Sequence, residues 1–228
     1  MKVDDGGAVL SMLGSEIDAF VGALAQVSGA GWERPTRCDP WRVRDVVGHV
    51  IVVLSRVPDM VAAPAPGRAG TTAAEYYRAD GRFSDDTNDE RVRTAQRRAA
   101  DPDAATLVRD LADTGRTVVE VCRGEPAGRV VRTRHGDAML LSDFLTTRLV
   151  EVVLHGLDVA DAVPREPWLT PAATEHLLRL LFGPQWRVAV DATGDPTTLL
   201  RKATGRAPTT ANDRDALDHL GLRPLTLG

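Results

Sequence analysis

The stretch TTRLVEVVLHGLDVADAV, residues 146–163, is apolar on almost every side of any helix that it could form. It nevertheless carries ionisable residues, and four of them, Arg148, Glu151, His155 and Asp158, lie at steps of three, four and three positions. Residues at these spacings lie on one face of an α-helix, about one turn apart. The surrounding valines and leucines leave little room for a solvated side, so we expect the helix to be mostly enclosed.

This ionisable stripe has two interpretations. The commoner one is a solvated helix face with intrahelical ion pairs. The other is a divalent metal site, because enclosed carboxylate and imidazole groups need a partner, and Glu and His at i and i+4 can bind one ion. The sequence favours His49 as a third ligand, since it lies in the other strongly apolar stretch, VVGHVIVVL at 46–54, one turn after Asp45. Three protein ligands would leave one coordination position open for chemistry.

Composition narrows the class of protein. The chain has 228 residues, a length that fits one globular domain with an appendage or one large domain, and its formal net charge is -4. Basic and acidic residues are interspersed, so the sequence predicts no nucleic-acid partner. The apolar runs are too short to span a bilayer and the N-terminus lacks a signal peptide, which predicts a cytoplasmic protein with no membrane partner. The two cysteines, Cys38 and Cys122, are expected to be buried thiols.

Helical periodicity dominates the rest of the chain. Apolar residues at helical spacing predict helices over about 8–27, 41–57, 104–121, 138–162 and 171–182. A Gly- and Pro-rich loop at 29–41 precedes the second helix, and a hairpin or extended loop is expected around His135-Gly136-Asp137. Near the end of the chain, Val188 and Val190 predict one short strand before a small helix.

Two distant segments make the sequence resemble a known family. They are WERPTRCDPWRVRDVVGH at 32–49 and RLVEVVLHGLD at 148–158. Together they resemble the mycothiol-dependent maleylpyruvate isomerase family of the DinB-like metalloprotein superfamily, over roughly residues 8–163. The signature is fairly specific, because two separate segments match in the same order.

The resemblance implies both a fold and a metal site. The implied fold is mainly α, with a DinB-like up-and-down four-helix bundle over residues 1–163 and a short C-terminal α/β extension over 164–228. The implied ligands of a zinc ion, or of another divalent metal, are His49, Glu151 and His155. Nickel and iron tolerate the same nitrogen and oxygen ligands, so the metal that is bound stays open.

Four further residues are candidates for the chemistry of the site. The segment KATGRAP looks like the Gly-Arg motif that carries an active-site arginine in the family, and the arginine of this segment is Arg206. The tail that contains it is shorter than the family's usual second domain. Arg206 and Arg148 could each hold a substrate carboxylate in the guanidinium fork, and Arg148 could instead neutralise Glu151. Asp45, which we assign to cofactor binding, and Asp158 could each orient an imidazole N–H.

The family resemblance implies a thiol-dependent enzyme whose substrate is a small electrophilic molecule. A thiol bound to zinc is deprotonated at neutral pH, so mycothiol or another low-molecular-weight thiol would attack an electrophilic carbon. A maleylpyruvate-type substrate would be isomerised, and other electrophiles would give the product of an S-transferase. Two alternatives stay open: a thiol-independent metal hydrolase, and a non-catalytic, metal-stabilised scaffold for binding or dimerisation. Because dimerisation is one function of such a scaffold, the protein could be a homodimer.

Overall fold

The structure, a computed structural model, describes residues 5–226 and is mainly helical in that part of the chain. In chain order its elements are α1 (Asp5–Leu24), α2 (Val43–Ala62), α3 (Ala73–Tyr76), α4 (Asp85–Ala100), α5 (Ala104–Cys122), β1 (Val130–Arg132), β2 (Ala138–Leu140), α6 (Leu141–Ala162), α7 (Pro171–Phe182), α8 (Trp186–Thr193), α9 (Pro196–Ala203) and α10 (Ala211–His219). Short 3-10 turns lie at Gly29–Glu33, Gly81–Phe83 and Gly183–Gln185.

The helices α1, α2, α5 and α6 pack side by side around a common apolar core. α1 contacts α5 and α6, and α2 contacts the same two helices. Each helix buries the apolar stripe that its sequence period predicts. On α1 this stripe includes Leu13, Ile17, Phe20 and Leu24, all of them buried. The predicted mainly helical bundle is therefore confirmed.

Two glycines let helices approach each other closely. A Cβ at Gly115 of α5 would lie 2.7 Å from Cγ2 of Ile17 on α1. A Cβ at Gly48 of α2 would lie 2.7 Å from the carbonyl oxygen of Ala95 on α4. Contacts this short exclude any side chain unless a helix moves. Because Gly48 precedes His49 in the chain, its close contact brings α4 beside the candidate site.

The second helix differs from its predicted bounds. The sequence predicts an end near residue 57, because Pro58 removes a backbone donor. α2 instead begins at Val43 and continues through Pro58 to Ala62. Val61, one turn beyond the proline, is buried in the core. Burial of the extended apolar stripe therefore outweighs the hydrogen bond that the proline cannot make.

The predicted hairpin lies between α5 and α6. β1 pairs antiparallel with β2, and Val131 lies opposite Met139 with both side chains buried. Gly136 in the connecting turn has a φ of 89°, in the left-handed region that favours glycine. The same turn carries Arg134 and His135 to a cavity that is also lined by residues of α2 and α6.

The C-terminal extension is helical, so the predicted α/β character of this region is wrong. Val188 and Val190, interpreted from the sequence as a strand, lie in α8, which ends at Gly194 in the left-handed conformation. A two-residue alternation over so few positions is also compatible with a helix. Here Val188 is exposed and Ala189 is buried. Within residues 5–226 the sheet consists of β1 and β2, so these valines have no neighbouring strand to pair with.

The extension packs along the bundle through α7, which contacts α1 and α6. Glu16 of α1 is buried and accepts hydrogen bonds from the backbone N–H of Thr170 at 2.9 Å and from its hydroxyl at 2.6 Å. Thr170 is the N-terminal cap of α7. This contact joins the two parts of the chain, and the division into domains at residues 163 and 164 stays a prediction.

One helix of the described chain is long and apolar enough to cross a membrane. It is α1, over Gly6–Leu24, whereas the sequence pattern predicted no such segment. Length and composition do not distinguish a membrane span from a core helix of a bundle. The apolar stripe of α1 packs against α5 and α6, as expected for a core helix.

Candidate metal centre

The structure brings His49 of α2 together with Glu151 and His155 of α6. Nε2 of His49 lies 3.2 Å from Oε2 of Glu151, and Nε2 of His155 lies 3.4 Å from the same oxygen. One ligand atom from each residue lies within 4.8 Å of the other two. Tetrahedral bonds of about 2 Å to zinc separate neighbouring ligand atoms by roughly 3.3 Å, so the spacing suits a single ion.

The protonation of these side chains follows from burial and mutual contact. Burial lowers the pKa of His49 to about 4, which makes its imidazole neutral at neutral pH, the form that binds metals. Burial raises the pKa of the Glu151 carboxyl, but hydrogen bonds from His155 and His49 outweigh burial and hold that pKa well below its usual range. The centre therefore offers a neutral imidazole and a carboxylate anion.

Asp158 lies directly behind His155. Its Oδ2 is 3.0 Å from Nδ1 of His155, the ring nitrogen that does not face Glu151. Burial raises the pKa of Asp158, but the bond to His155 and the charge of Arg206 outweigh burial and lower that pKa to about 2. A carboxylate at Nδ1 holds the imidazole ring so that Nε2 is directed at the centre, which is the arrangement predicted for Asp158.

Arg206 contacts Asp158 and so joins the C-terminal extension to α6. Its Nε donates to Oδ1 of Asp158 at 2.9 Å, and its Nη2 donates to Oδ2 at 2.8 Å. Nε also lies 3.3 Å from the carbonyl oxygen of Leu154. The sequence predicted that this guanidinium holds a substrate carboxylate, whereas in the structure a carboxylate of the protein occupies its fork. Arg206 is thus placed to position Asp158.

Asp45 has a different role from the predicted one. Its Oδ2 accepts the backbone N–H of Arg42 at 2.9 Å, at the start of α2. The carboxylate therefore caps the helix instead of orienting an imidazole. Helix geometry explains the error, because residues four apart lie on one face but the side chain of a first-turn residue can fold back to the helix end.

Arg148 lies on the buried floor of the same region. Its Nη1 donates to the carbonyl oxygen of Val53 and its Nε to Oγ1 of Thr147, both at 3.3 Å. The guanidinium carbon lies 4.7 Å from the ring centroid of Phe144. The described residues contain no salt bridge between Arg148 and Glu151, so direct neutralisation, one of the two predicted roles, has no ion pair to support it.

Sequence reasoning missed the location of Cys38. The thiol is half-buried, and its Sγ donates to Oδ2 of Asp158 at 3.3 Å. Cys38, His155 and Asp158 form a second group whose ligand atoms lie within 4.8 Å of one another. Because 120 positions separate Cys38 from Asp158, no local pattern could have indicated the contact. Cys122 is buried as expected, and burial raises its pKa to about 11.

Trp41 covers the imidazoles from the loop side. Its ring centroid lies 4.8 Å from that of His49 and 5.9 Å from that of His155. Trp41 ends the Gly- and Pro-rich loop before α2, and its ring packs against both candidate imidazole ligands.

A cavity of about 490 Å³ opens in front of the three candidate ligands. It is lined by residues of α2, α4, α6, the hairpin turn and the extension, and seven arginines take part: Arg37, Arg56, Arg82, Arg91, Arg134, Arg148 and Arg206. A larger cavity of about 640 Å³ lies between α1, α5 and the start of α6, and no histidine lines it. The smaller cavity therefore holds the candidate chemistry, and its volume suits a small organic ligand.

Fold and site together define a DinB-like helical bundle with a candidate metal centre. Residues 13–160 match the family described as mycothiol maleylpyruvate isomerase N-terminal domain. The chain belongs to this family, and it is an isomerase-like enzyme.

One solved structure supports the same fold. It is described as the crystal structure of a histidine-to-alanine mutant of the mycothiol-dependent maleylpyruvate isomerase, and it matches 78% of this chain and 71% of its own, with a TM-score of 0.50 and 14% sequence identity. At this identity the likeness concerns the fold alone. Among curated proteins, no sequence match to the chain was found.

Proposed function

We propose that the protein is a zinc-dependent isomerase or S-transferase that uses mycothiol, or another low-molecular-weight thiol, against an electrophilic carbon. A maleylpyruvate-type compound is the proposed substrate of the isomerase. The observation that carries the proposal is the convergence of His49, Glu151 and His155 on one point, at the edge of a cavity large enough for a small acid. The family to which the chain belongs supports the choice of thiol and reaction.

The donor set fits a catalytic zinc ion better than a structural one. Two imidazoles and one carboxylate are typical of sites that keep a coordination position open. His49 is neutral and Glu151 is charged, so neither residue must lose a proton before it binds a cation. Burial lowers the pKa of His155, but its hydrogen bond with Asp158 outweighs burial and holds that pKa well above its usual range, so His155 would release one proton when the ion binds. When bound, the ion would supply the positive charge that keeps a coordinated thiol deprotonated at neutral pH.

The protein's own side chains orient the site. Asp158 accepts the Nδ1 proton of His155 and so fixes which nitrogen faces the cavity. Arg206 holds Asp158 in turn, through two charge-assisted hydrogen bonds. Trp41 covers the imidazoles and limits the water that competes with a thiol for the centre.

The test is an assay of cis-to-trans isomerisation of maleylpyruvate by the purified, zinc-loaded protein, with and without added mycothiol. We expect turnover that needs both the metal and the thiol and that is lost in His155→Ala. The matched control is His219→Ala, since His219 is exposed on α10. Metal content of protein purified without added ions identifies the ion.

The two alternative functions predict different results. Turnover of esters or amides without a thiol would identify a metal hydrolase and overturn the proposal. A protein that turns over no substrate with or without a thiol, and that unfolds at a lower temperature once its bound ion is removed, would instead be a non-catalytic, metal-stabilised scaffold. We expect the enzyme to act in the cytoplasm on small molecules. A homodimer stays a prediction, which light scattering of the purified protein tests.

A further inference from the structure

Four arginines from four different elements line one side of the cavity. They are Arg56 of α2, Arg91 of α4, Arg134 of the hairpin turn and Arg148 of α6, and we call them the arginine wall. Arg148 is buried, Arg56 and Arg91 are half-buried, and Arg134 is exposed. None of the four makes a salt bridge with any residue that the structure describes. Their hydrogen-bond partners in that range, where they have any, are neutral: Asn88 and the Arg82 carbonyl for Arg91, and Val53 and Thr147 for Arg148.

Each of the other arginines of the cavity lies beside a carboxylate of the protein. Nε of Arg82 lies 2.8 Å from Asp80, and its Nη2 lies 3.1 Å from Asp137. Arg206 forms its two bonds to Asp158, and Nε of Arg37 lies 3.8 Å from the same carboxylate. Among the arginines of the cavity, those without a carboxylate contact are thus the members of the arginine wall.

The acidic residues of the cavity form no salt bridge with the arginine wall. Glu90 hydrogen-bonds with Arg93 and Arg97, and Glu151 with the two histidines of the centre. Asp39 is exposed. Like charges gathered beside a concave surface create a positive potential that attracts anions. A bound anion would offset the mutual repulsion of the four guanidinium groups.

Electrostatic effects within the protein agree with this arrangement. Burial, and then the charges of Arg134 and Arg148, lower the pKa of Arg56 to about 10. Burial likewise lowers the pKa of Arg91, against the attraction of Glu151. Both guanidinium groups keep their charge at neutral pH, and the four arginines are close enough to repel one another.

We propose that Arg56, Arg91 and Arg134 form an anion subsite that binds a carboxylate of the electrophilic substrate, with Arg148 beneath them. The inference rests on the proposed function for the identity of that substrate. It replaces the sequence-based assignment of Arg206 to the substrate carboxylate, because Asp158 occupies the fork of Arg206. A carboxylate accepts from a guanidinium through two parallel hydrogen bonds, so three such groups select an acid over its ester.

Isothermal titration of the zinc-loaded protein with maleate tests the subsite without needing turnover. Arg56→Gln and Arg91→Gln should each weaken maleate binding about tenfold, as expected for a lost charge-assisted hydrogen bond. Arg134→Gln should weaken it about threefold, because water screens an exposed charge. The matched control is Arg123→Gln, whose arginine lines the larger cavity, and it should bind maleate as the unaltered protein does.

Two further probes define the chemistry of the ligand. Dimethyl maleate has the same carbon skeleton without charge, and its weak binding should not change in the variants. Inorganic phosphate should bind more weakly than maleate, and tighter binding of phosphate would overturn the assignment to a carboxylate. Arg56→Lys keeps the charge but loses the fork, so it should bind maleate with an affinity between those of Arg56→Gln and the unaltered protein.

The result that overturns the subsite is unchanged maleate affinity in an Arg56→Gln/Arg91→Gln double variant that still unfolds at the normal temperature. Maleate would then bind at the metal centre alone. Failure of the proposed function looks different: maleate binding would depend on the arginines while no thiol-dependent turnover is found. Conversely, thiol-dependent turnover together with maleate binding that does not depend on the arginines would overturn the subsite and leave the proposed function intact.

Discussion

Replacing Asp158 by asparagine tests whether the buried carboxylate holds the candidate metal centre together. The side chain of Asp158 is 0% exposed and that of Arg206 is 8% exposed. Asparagine keeps the shape but loses the charge that receives two hydrogen bonds from Arg206 and one from His155. Removing one partner of a buried ion pair costs about 3–5 kcal/mol, because the other charge is left uncompensated. In a domain of this size that loss lowers the Tm by roughly 6–20 °C.

The same helix offers a matched control one turn further on. Asp161 also receives two hydrogen bonds from an arginine of the extension, Arg201, each at 2.8 Å. The difference is burial, because the side chain of Asp161 is 40% exposed and that of Arg201 is 19% exposed. Exposed ion pairs contribute about 0–1 kcal/mol, so Asp161→Asn should change the free energy of unfolding little.

Urea unfolding of the metal-free protein, followed by circular dichroism, measures the loss of stability in Asp158→Asn. Competition with a chromogenic chelator measures zinc affinity. This affinity should fall about 10–100-fold in Asp158→Asn, because the carboxylate behind a ligating imidazole is lost. The reasoning is refuted if Asp158→Asn unfolds at the same urea concentration as Asp161→Asn and binds zinc with unaltered affinity.

Three other substitutions probe separate parts of the molecule. Glu151→Gln removes the charged ligand and should weaken zinc binding more than about tenfold in the chelator assay, whereas exposed Glu166→Gln should not. Burial raises the pKa of Glu16 above 4.5, so its stabilising contribution is present below that pH and is lost as the pH rises through the raised pKa. Glu16→Gln should therefore gain stability relative to the unaltered protein between about pH 4.5 and pH 7 in urea unfolding. Gly48→Ala should cost about 1–3 kcal/mol in the same measurement, because its Cβ would meet α4, whereas Gly22→Ala has open space and should gain up to about 1 kcal/mol.

Each of these predictions has a result that contradicts it. Zinc affinity that is equal in Glu151→Gln and Glu166→Gln would remove Glu151 from the centre. A stability difference between Glu16→Gln and the unaltered protein that stays constant with pH would mean that this carboxyl titrates alike in the folded and unfolded chain. Equal effects of Gly48→Ala and Gly22→Ala would show that α4 does not pack closely on α2.

Local patterns predicted the four helices of the bundle and α7, because an amphipathic period depends only on neighbouring residues. The errors occurred where tertiary packing overrides a local signal. α2 passes through Pro58 because Val61 beyond it is buried, and Val188 is helical because no neighbouring strand is available within residues 5–226. Asp45 was assigned to an imidazole because helix spacing does not reveal that a first-turn carboxylate can cap its own helix.

Some residues of the candidate site were predictable from sequence spacing, and others are brought to it only by the fold. Glu151, His155 and Asp158 share one helix, so their spacing alone indicated that they lie on one face. His49 was inferred from its apolar surroundings, and the fold brings it to within 3.2 Å of Glu151. Cys38 comes from a loop 120 positions away from Asp158, and no sequence period connects them.

By itself the sequence determined where helices form and which residues share a helix face, since backbone geometry converts a spacing of three or four residues into proximity. Only the tertiary structure decided which faces meet. It turned Arg206 towards Asp158 and left Arg56, Arg91 and Arg134 beside the cavity without a carboxylate. The physical reason is that pairing of charges depends on distances across separate elements, and those distances are set by how the elements pack.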